Sequence, residues 1–305
     1  MSNSDKFKKY SSIENHYQEG FLSKCPQENI DWCVTEKIHG ANFQVYYDGE
    51  HFLLGSRNRF INTNENFNNL QNIIEEIKPK LLLMIKAFGK VPITLYGEVY
   101  GDGIQKGVKY SKNKKIRFFD IKIQDEYYPY AFASEVFKMW NIPYIPILST
   151  FNGNIFDVVK SINTRFNSTI SEGEYAELEN NLCEGVVIKP LYQEFKTPLG
   201  SRVIIKKKNE EFLEKQKASK EPKPDRFIDY SKDCEAVKPY INDNRFNSVF
   251  SKDNYQKSDF GMFIKAYAQD VIEDAAKDSI EFSNIKNINN IIARTTKTEY
   301  FRRAA

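Results

Sequence analysis

A chain of 305 residues with 41% hydrophobic and 14% aromatic side chains is long enough for a large core, and for about two domains, which excludes a disordered or low-complexity protein. Its 44 basic and 41 acidic side chains nearly cancel to a formal charge of +3, so any site for an anionic partner has to come from local clustering. No stretch approaches the roughly 18 uninterrupted apolar residues that cross a bilayer, and Met1 to Lys6 carry no apolar signal core, which predicts a soluble, cytoplasmic protein without a membrane partner. Cys25, Cys33, Cys183 and Cys234 are too widely spaced for a paired zinc pattern or a disulfide framework and read as reduced, packed thiols.

Phe7 to Tyr17 has mixed character and takes no clear assignment. From Trp32 an apolar run of strand type delivers Lys37 to a bend, with His39 two residues on and Gly40 letting the backbone turn. Asn42 to Tyr47 alternates as a strand, Asp48-Gly49 is a two-residue hairpin signal, and His51 to Gly55 returns, ending near Arg57 and Arg59. Asn68 to Phe88 has helical spacing through Leu70, Ile73, Ile74 and Ile77, and Pro79 predicts a break into a helix pair. Ile93 to Tyr100 is a strand containing Glu98. Lys115 to Ile123 is another, with Ile116, Phe118, Asp120 and Lys122 expected on one face and Arg117, Phe119 and Ile121 on the other.

Short helices are expected at Ser134 to Trp140 and near Phe156 to Ile162, then strands at Glu184 to Lys189 and Val203 to Lys208. Many strands and few helices predict an α+β domain built on antiparallel sheets, not a doubly wound parallel one. Glu210 to Asp225 is dense in both charges and holds Pro222 and Pro224, which reads as a helical tail and a linker. Two amphipathic helices, one through Phe260, Phe263, Ile264, Tyr267 and Val271 and one through Ile285, Ile288, Ile291 and Ile292, predict a small, mostly α-helical second domain over 223–305 after a first over 1–222. Arg294, Lys297, Arg302 and Arg303 form a basic cluster at its end, either a solvated helix face or a surface for an anionic backbone.

The ionisable residues at strand ends suggest the chemistry. Alternation puts Lys206 and Lys208 on one face and Lys207 on the other, and two neighbouring ammonium groups call for an anion between them. Glu98 and Glu184, beside Gly97 and Gly185, suit either a general acid and base or a divalent metal held through its waters. One of Phe118 and Phe119 could stack on a flat ligand while the other belongs to the core. No GxxxxGK, HExxH or GxGxxG signature occurs, which leaves a lysine nucleophile as the most economical organiser. A lysine amine with an ordinary pKa of about 10.4 is protonated at neutral pH, so attack on phosphorus requires desolvation or nearby positive charge.

Glu36-Lys37-Ile38-His39-Gly40-Ala41-Asn42-Phe43, Ser56-Arg57, Tyr96-Gly97-Glu98 to Gly103-Ile104-Gln105, Phe118-Phe119-Asp120-Ile121, Glu184 to Pro190 and Ile205 to Asn209 occur in an order that resembles the nucleotidyltransferase motifs of ATP-dependent RNA ligases. Histidine in Lys-x-His-Gly, together with likenesses at Phe7 to Tyr17 and Asp259 to Gly261, resembles the type 2 RNA ligases of T-even bacteriophages and the RNA-editing ligases, of which only the phage enzymes carry the appended second domain. The resemblance implies an α+β nucleotidyltransferase fold of the ligase or ATP-grasp-like kind. It also implies an enzyme, virus- or phage-encoded, that uses ATP with Mg²⁺ or Mn²⁺, makes lysyl-AMP on Lys37, and seals 3′-hydroxyl/5′-phosphate nicks in duplex RNA or an RNA/DNA hybrid, acting as a monomer. A DNA ligase or capping nucleotidyltransferase with the same intermediate, or an inactive RNA-binding relative, are the alternatives.

Residue by residue, the resemblance implies that Lys37, His39, Lys206 and Lys208 are catalytic. Glu36, Asn42, Arg57, Glu98, Phe119, Glu184 and Lys189 would join the two lysines of the basic pair in holding ATP or AMP, with Phe119 on the adenine. Glu98 and Glu184, and Asp120 as a further candidate, would hold the metal. Arg59 has no expected role.

Overall fold

The computed structural model describes residues 6–62, 70–213, 232–253, 255–278, 280, 282 and 285–304, with the side chains of 232–234 and 285–287 left out. The chain divides into two compact units, Met1–Glu211 and Phe212–Ala305. The domain boundary expected at 222/223 and most of the predicted linker fall in 214–231, outside the described residues.

The first unit is built on two five-stranded sheets. In one, the order is β1 (Glu14–Asn15), β10 (Ile205–Lys208), β9 (Gly185–Pro190), β2 (Ile30–Glu36), β8 (Ile147–Gly153). In the other it is β4 (Phe52–Gly55), β3 (Ala41–Tyr47), β5 (Ile93–Tyr100), β6 (Lys115–Ile123), β7 (Glu126–Tyr127). Pairing within both is antiparallel except that β1 lies parallel to β10. The α+β, antiparallel expectation therefore holds.

β2 lies between β9 and β8, and both its faces are buried: Trp32 and Val34 join a core with Ile155, Val158, Val186 and Ile188, while Cys33 joins the opposite one. That double burial is why the sequence there is a continuous apolar run rather than an alternating one. The larger core packs α2 (Gln71–Ala87) and α3 (Tyr130–Met139) on the second sheet. The first sheet is covered by α1 (Glu19–Leu22) and α4 (Ile155–Ser161).

Four features differ from the sequence expectation. α2 runs through Pro79 as one helix, because Ile74, Ile77, Leu81, Met84 and Ile85 on both sides of the proline are buried, and that burial offsets the roughly 3 kcal/mol a mid-helix proline costs. The β3–β4 connection spans 48–51, since Tyr47 pairs with Phe52; Asp48 accepts hydrogen bonds from the backbone N–H of Glu50 and His51 and closes the loop. β8 went unrecognised because its Ile-Leu-Ser-Thr-Phe-Asn-Gly sequence is an edge strand without alternation.

The fourth is a β-bulge. Tyr96 pairs with Asp120 but Gly97 pairs with Phe118, leaving Phe119 extra. The phase of β6 therefore changes: Ile116 and Phe118, then Ile121 and Ile123, face the large core, instead of Ile116, Phe118, Asp120 and Lys122 sharing a face. Phe119 and Asp120 are thereby turned away from that core, toward β9 and the segment before β10.

In the second unit α5 (Lys232–Val237), α6 (Asp243–Phe250), α7 (Phe260–Lys277) and α8 (Ile285–Arg303) enclose a core of Phe246, Val249, Phe263, Tyr267, Val271, Ile288, Ile292 and Tyr300. The two expected helices are α7 and α8. α6 was missed although Asn242 caps it, its side chain accepting from the Arg245 N–H. Buried Arg245 pairs with Asp270 and, at 2.7 Å, with Asp274. Of the expected basic cluster, Arg294 and Lys297 are exposed, whereas Arg302 and Arg303 both pair with Glu299, and Arg303 also lies 4.9 Å from the Phe246 ring centroid. No helix among the described residues is long and apolar enough to cross a membrane. Cys25, Cys33 and Cys183 are free and buried, with burial pushing each thiol up to about 12; the Cys234 side chain lies outside the described residues.

Candidate active site

β2 ends at Glu36, and the Lys37 N–H still donates to the Gly185 carbonyl at 2.9 Å, which fixes the bend beside β9. Gly40 lets the turn lie against β5, since a Cβ there would sit 2.1 Å from the Val99 carbonyl oxygen. Gly185 has φ +146°, and a Cβ would meet the Lys207 carbonyl at 2.3 Å; its absence brings Glu184 next to Lys208.

Glu184 is the hub. One carboxylate oxygen lies 2.6 Å from Lys37 Nζ and 3.5 Å from His39 Nδ1, and the other lies 2.9 Å from Lys208 Nζ. Burial by itself would raise this carboxyl, but Lys208, Lys37 and His39 hold it well below the usual carboxylate range. The anion called for by the Lys206/Lys208 pair is thus supplied by the protein for Lys208. Lys206 projects to the same face from β10, while Lys207 turns to the opposite face, the one α4 covers, and donates to Val159 and Ile162 carbonyls at 2.8 and 2.6 Å, satisfying the end of α4.

Glu98 pairs with Asn42 across β3 and β5, and its surroundings have the opposite effect. Burial pushes its carboxyl up to about 8, with Glu184 adding to the rise; Lys37, Arg57 and a hydrogen bond from Asn42 oppose it. At neutral pH Glu98 is mainly protonated beside an ionised Glu184. Because the folded-state value lies above the ordinary one, the neutral form stabilises the fold fully below about pH 4.5, and this contribution is lost as pH rises through 8. Unfolding midpoints in urea should fall between pH 5 and 8 more steeply for the unaltered protein than for Glu98→Gln, which stays neutral; parallel slopes would show that Glu98 titrates normally.

The two phenylalanines separate cleanly. Phe118 is fully buried and stacks with Phe137 at 5.9 Å, so it belongs to the core. Phe119 is half-buried, packs with Tyr96, Ile204 and Val187, and meets Tyr10 edge-on at 5.1 Å between the two sheets.

Three of the expected site residues are engaged by partners within the protein. Asp120 is fully buried, and its oxygens accept from Lys189 Nζ at 2.9 Å, Arg202 at 2.8 and 3.2 Å and the Tyr10 hydroxyl at 2.5 Å. With its lone pairs so engaged it is the shared acceptor of a buried ion network. Lys189, 2% exposed, also donates to the Phe119 carbonyl at 2.8 Å and lies 4.0 Å from the Tyr130 ring centroid, so its amine fixes the Phe119 backbone. The Glu36 carboxylate accepts from Ser168 Oγ, Thr169 N and Thr169 Oγ1 at 2.5, 2.7 and 2.7 Å. Burial raises its pKa against the pull of those bonds.

The structure therefore brings together Lys37, His39, Asn42, Arg57, Glu98, Glu184 and Lys208, with Lys206 on the same strand face and Phe119 on the inner side of β6. Glu36, Asp120 and Lys189 border this group and are bonded to Ser168 and Thr169, to Arg202 and Tyr10, and to Asp120 and the Phe119 carbonyl respectively. Arg59 donates to the Phe60 carbonyl in its own turn. Sequence reasoning missed Tyr10 and Arg202, whose only signals were a tyrosine in an unassigned segment and an arginine abutting the apolar Val203–Ile205.

A metal would find few protein ligands here. Among the described residues no group of three or more His, Cys, Asp or Glu is arranged to hold one. Glu98 and Glu184 are too few to coordinate an ion fully and would suit one that keeps most of its waters, as magnesium does.

Residues 30–208 match the family described as RNA ligase, and residues 229–299 match the T4 RNA ligase 2 C-terminal family. The fold is similar to Naegleria gruberi RNA ligase with PPi (TM-score 0.51, 20% identity, covering 68% of this chain and 58% of that one). It is similar also to variants of that ligase with ATP and Mn and with AMP and Mn (each TM-score 0.50, 18% identity, covering 68% of this chain and 57% of the other). The chain thus spans less than two thirds of the length of these neighbours, and at such identity the likeness is one of fold. With one family covering more than half of its length and the other most of the remainder, this chain belongs to the RNA ligase family, in the type 2 group that carries a T4 RNA ligase 2 C-terminal region.

Proposed function

We propose that the protein is an ATP-dependent RNA ligase that seals 3′-hydroxyl/5′-phosphate nicks in duplex RNA or RNA-containing hybrids. The observation that carries this reading is the Lys37 amine, 20% exposed and 2.6 Å from a Glu184 carboxylate it shares with Lys208 and His39, in a chain of this family. Lys37 gives up a proton and its nitrogen attacks the α-phosphorus of ATP; an N–P bond forms, the bond to the β-phosphate oxygen breaks, and pyrophosphate leaves. The 5′-phosphate of the nick then takes the AMP and frees the amine. Finally the 3′-hydroxyl attacks that phosphate, the phosphodiester forms and AMP leaves.

The residues divide this work by position and charge. Phosphoryl transfer is largely a matter of in-line placement and neutralisation, so Lys206 and Lys208 on the β10 face act on phosphate oxygens while Phe119 offers its ring to adenine and Arg57 and Glu98 flank the sugar. Displacement of Lys37 from Glu184 by the nucleotide frees the amine to lose its proton, and His39 is the neighbouring acceptor. Glu98 and Glu184 would hold Mg²⁺ or Mn²⁺ through waters, and the ion would supply further neutralisation of the phosphates. Residues 1–222 serve as the adenylyltransferase and 223–305 as the nick-binding domain of a monomer.

Incubating the protein with α-labelled ATP, a divalent ion and nicked duplexes of RNA, DNA and mixed sugar should give labelled protein and sealed RNA-containing strands. Sealing of DNA nicks alone, or labelling by GTP in place of ATP, contradicts the reading, and a noncatalytic RNA binder acquires no label. Removal of everything after Asp225 should leave self-adenylylation within about threefold and reduce sealing by about a hundredfold, since backbone contacts supply most nucleic-acid affinity. Equal sealing by the truncated chain would refute that division.

A further inference from the structure

Two long connections, 101–114 between β5 and β6 and 162–184 between α4 and β9, come from different sheets and are tied to each other. The Asn181 side chain accepts from the Lys109 N–H at 2.8 Å and donates to the Lys109 carbonyl at 2.6 Å. The Glu172 N–H donates to the Tyr110 carbonyl at 2.9 Å, Ser111 Oγ donates to Glu172 at 2.8 Å, and the Tyr175 hydroxyl donates to Asp102 at 2.7 Å. Each connection also grips one side of Lys37. Glu36, the residue before it, is bonded to Ser168 and Thr169; His39, two residues after, donates its backbone N–H to the Tyr110 hydroxyl at 2.8 Å. Tyr110 is 2% exposed and its ring packs edge-on to Tyr100 at 5.4 Å, so the hydroxyl has little freedom to move away.

We propose that Tyr110 is a positioning residue for the attack of Lys37 on the nucleotide: its hydroxyl, locked in place through the Asn181 clasp, fixes the His39–Gly40 bend and hence the amine. This inference rests on the lysyl-AMP reading above. These bonds join both flanks of the nucleophile into one rigid frame, and near-attack placement is where an error of an ångström is felt. The final sealing step does not use the Lys37 amine, so loss of the frame slows adenylylation of the protein and spares the attack of a 3′-hydroxyl on an RNA strand that already carries AMP.

The test compares the unaltered chain, Tyr110→Phe and Asn181→Ala in two single-turnover assays: lysyl-AMP formation at saturating ATP, and sealing of a chemically pre-adenylylated nick. Tyr110→Phe, which removes one oxygen, should slow the first by about tenfold with KM for ATP unchanged, and leave the second within about twofold. Asn181→Ala should slow the same step. Equal rates of lysyl-AMP formation in Tyr110→Phe and the unaltered chain would overturn the inference, as would equal slowing of both steps, which marks a purely structural role. If the unaltered chain itself forms no adduct, the reading of Lys37 fails and the inference with it.

Discussion

Lys37→Ala abolishes covalent labelling by α-labelled ATP while leaving the unfolding midpoint close to that of the unaltered protein. The amine is the one group at the β2 bend that combines partial exposure with a position beside Glu184, Lys208 and His39. Its removal takes one of the cations from Glu184, but Lys208 at 2.9 Å remains, so the buried carboxylate is not orphaned and the structural cost is small. Lys37→Arg keeps the charge but holds its proton near neutral pH and should also fail to label. A gel of labelled protein resolves the comparison; full labelling of the alanine variant would place the nucleophile elsewhere.

Asp120→Ala destabilises the first unit by about 3–5 kcal/mol, the scale for removing one partner of a buried ion network. Its carboxylate is the shared acceptor for Lys189 and Arg202, which are 2% and 6% exposed, and without it Arg202 keeps one carboxylate among the described residues, Glu194 at 2.6 Å, besides the Tyr10 hydroxyl at 3.2 Å. Burial would raise the Asp120 carboxyl, yet Arg202 and Lys189 bring it down to about 2. A depressed carboxylate stabilises the fold above its ordinary value, and that stability is lost as pH falls through 2. Urea titrations at neutral and acid pH measure both effects: the difference between the variant and the unaltered protein should be largest at neutral pH and shrink below about pH 4. A neutral-pH difference under about 1 kcal/mol would mean the network contributes little beyond an exposed pair.

The sequence carried much of this. Lys37 was legible because a doubly buried strand writes itself as an apolar run ending at a charged residue and a glycine. Lys206 and Lys208 were legible because strand alternation fixes which lysines share a face. Glu98 and Glu184 could be picked out as flanking carboxylates, but their opposite protonation could not, since it depends on which cations the fold gathers around each.

Pairings across long stretches of chain were not legible. Nothing near Asp120 announces Arg202 or Tyr10, and the bulge opposite Gly97, which turns Phe119 and Asp120 to the inner side, leaves no mark in β6 itself. A lysine ending an apolar strand must find an anion, which marks Lys189, but its partner Asp120 lies 69 residues away in the chain and is not marked by anything near Lys189. Pro79 and β8 failed in the opposite direction, local signals being outweighed in α2 by burial and absent in β8 because an edge strand has little to bury.

The most direct test is intact-mass and peptide-mapping mass spectrometry of the protein after exposure to ATP and a divalent ion. The account predicts the added mass of one adenylate, carried on the Lys37 side chain and lost on addition of a nicked RNA duplex. An adduct on a different residue, or none under conditions in which the protein seals nicks, would contradict it.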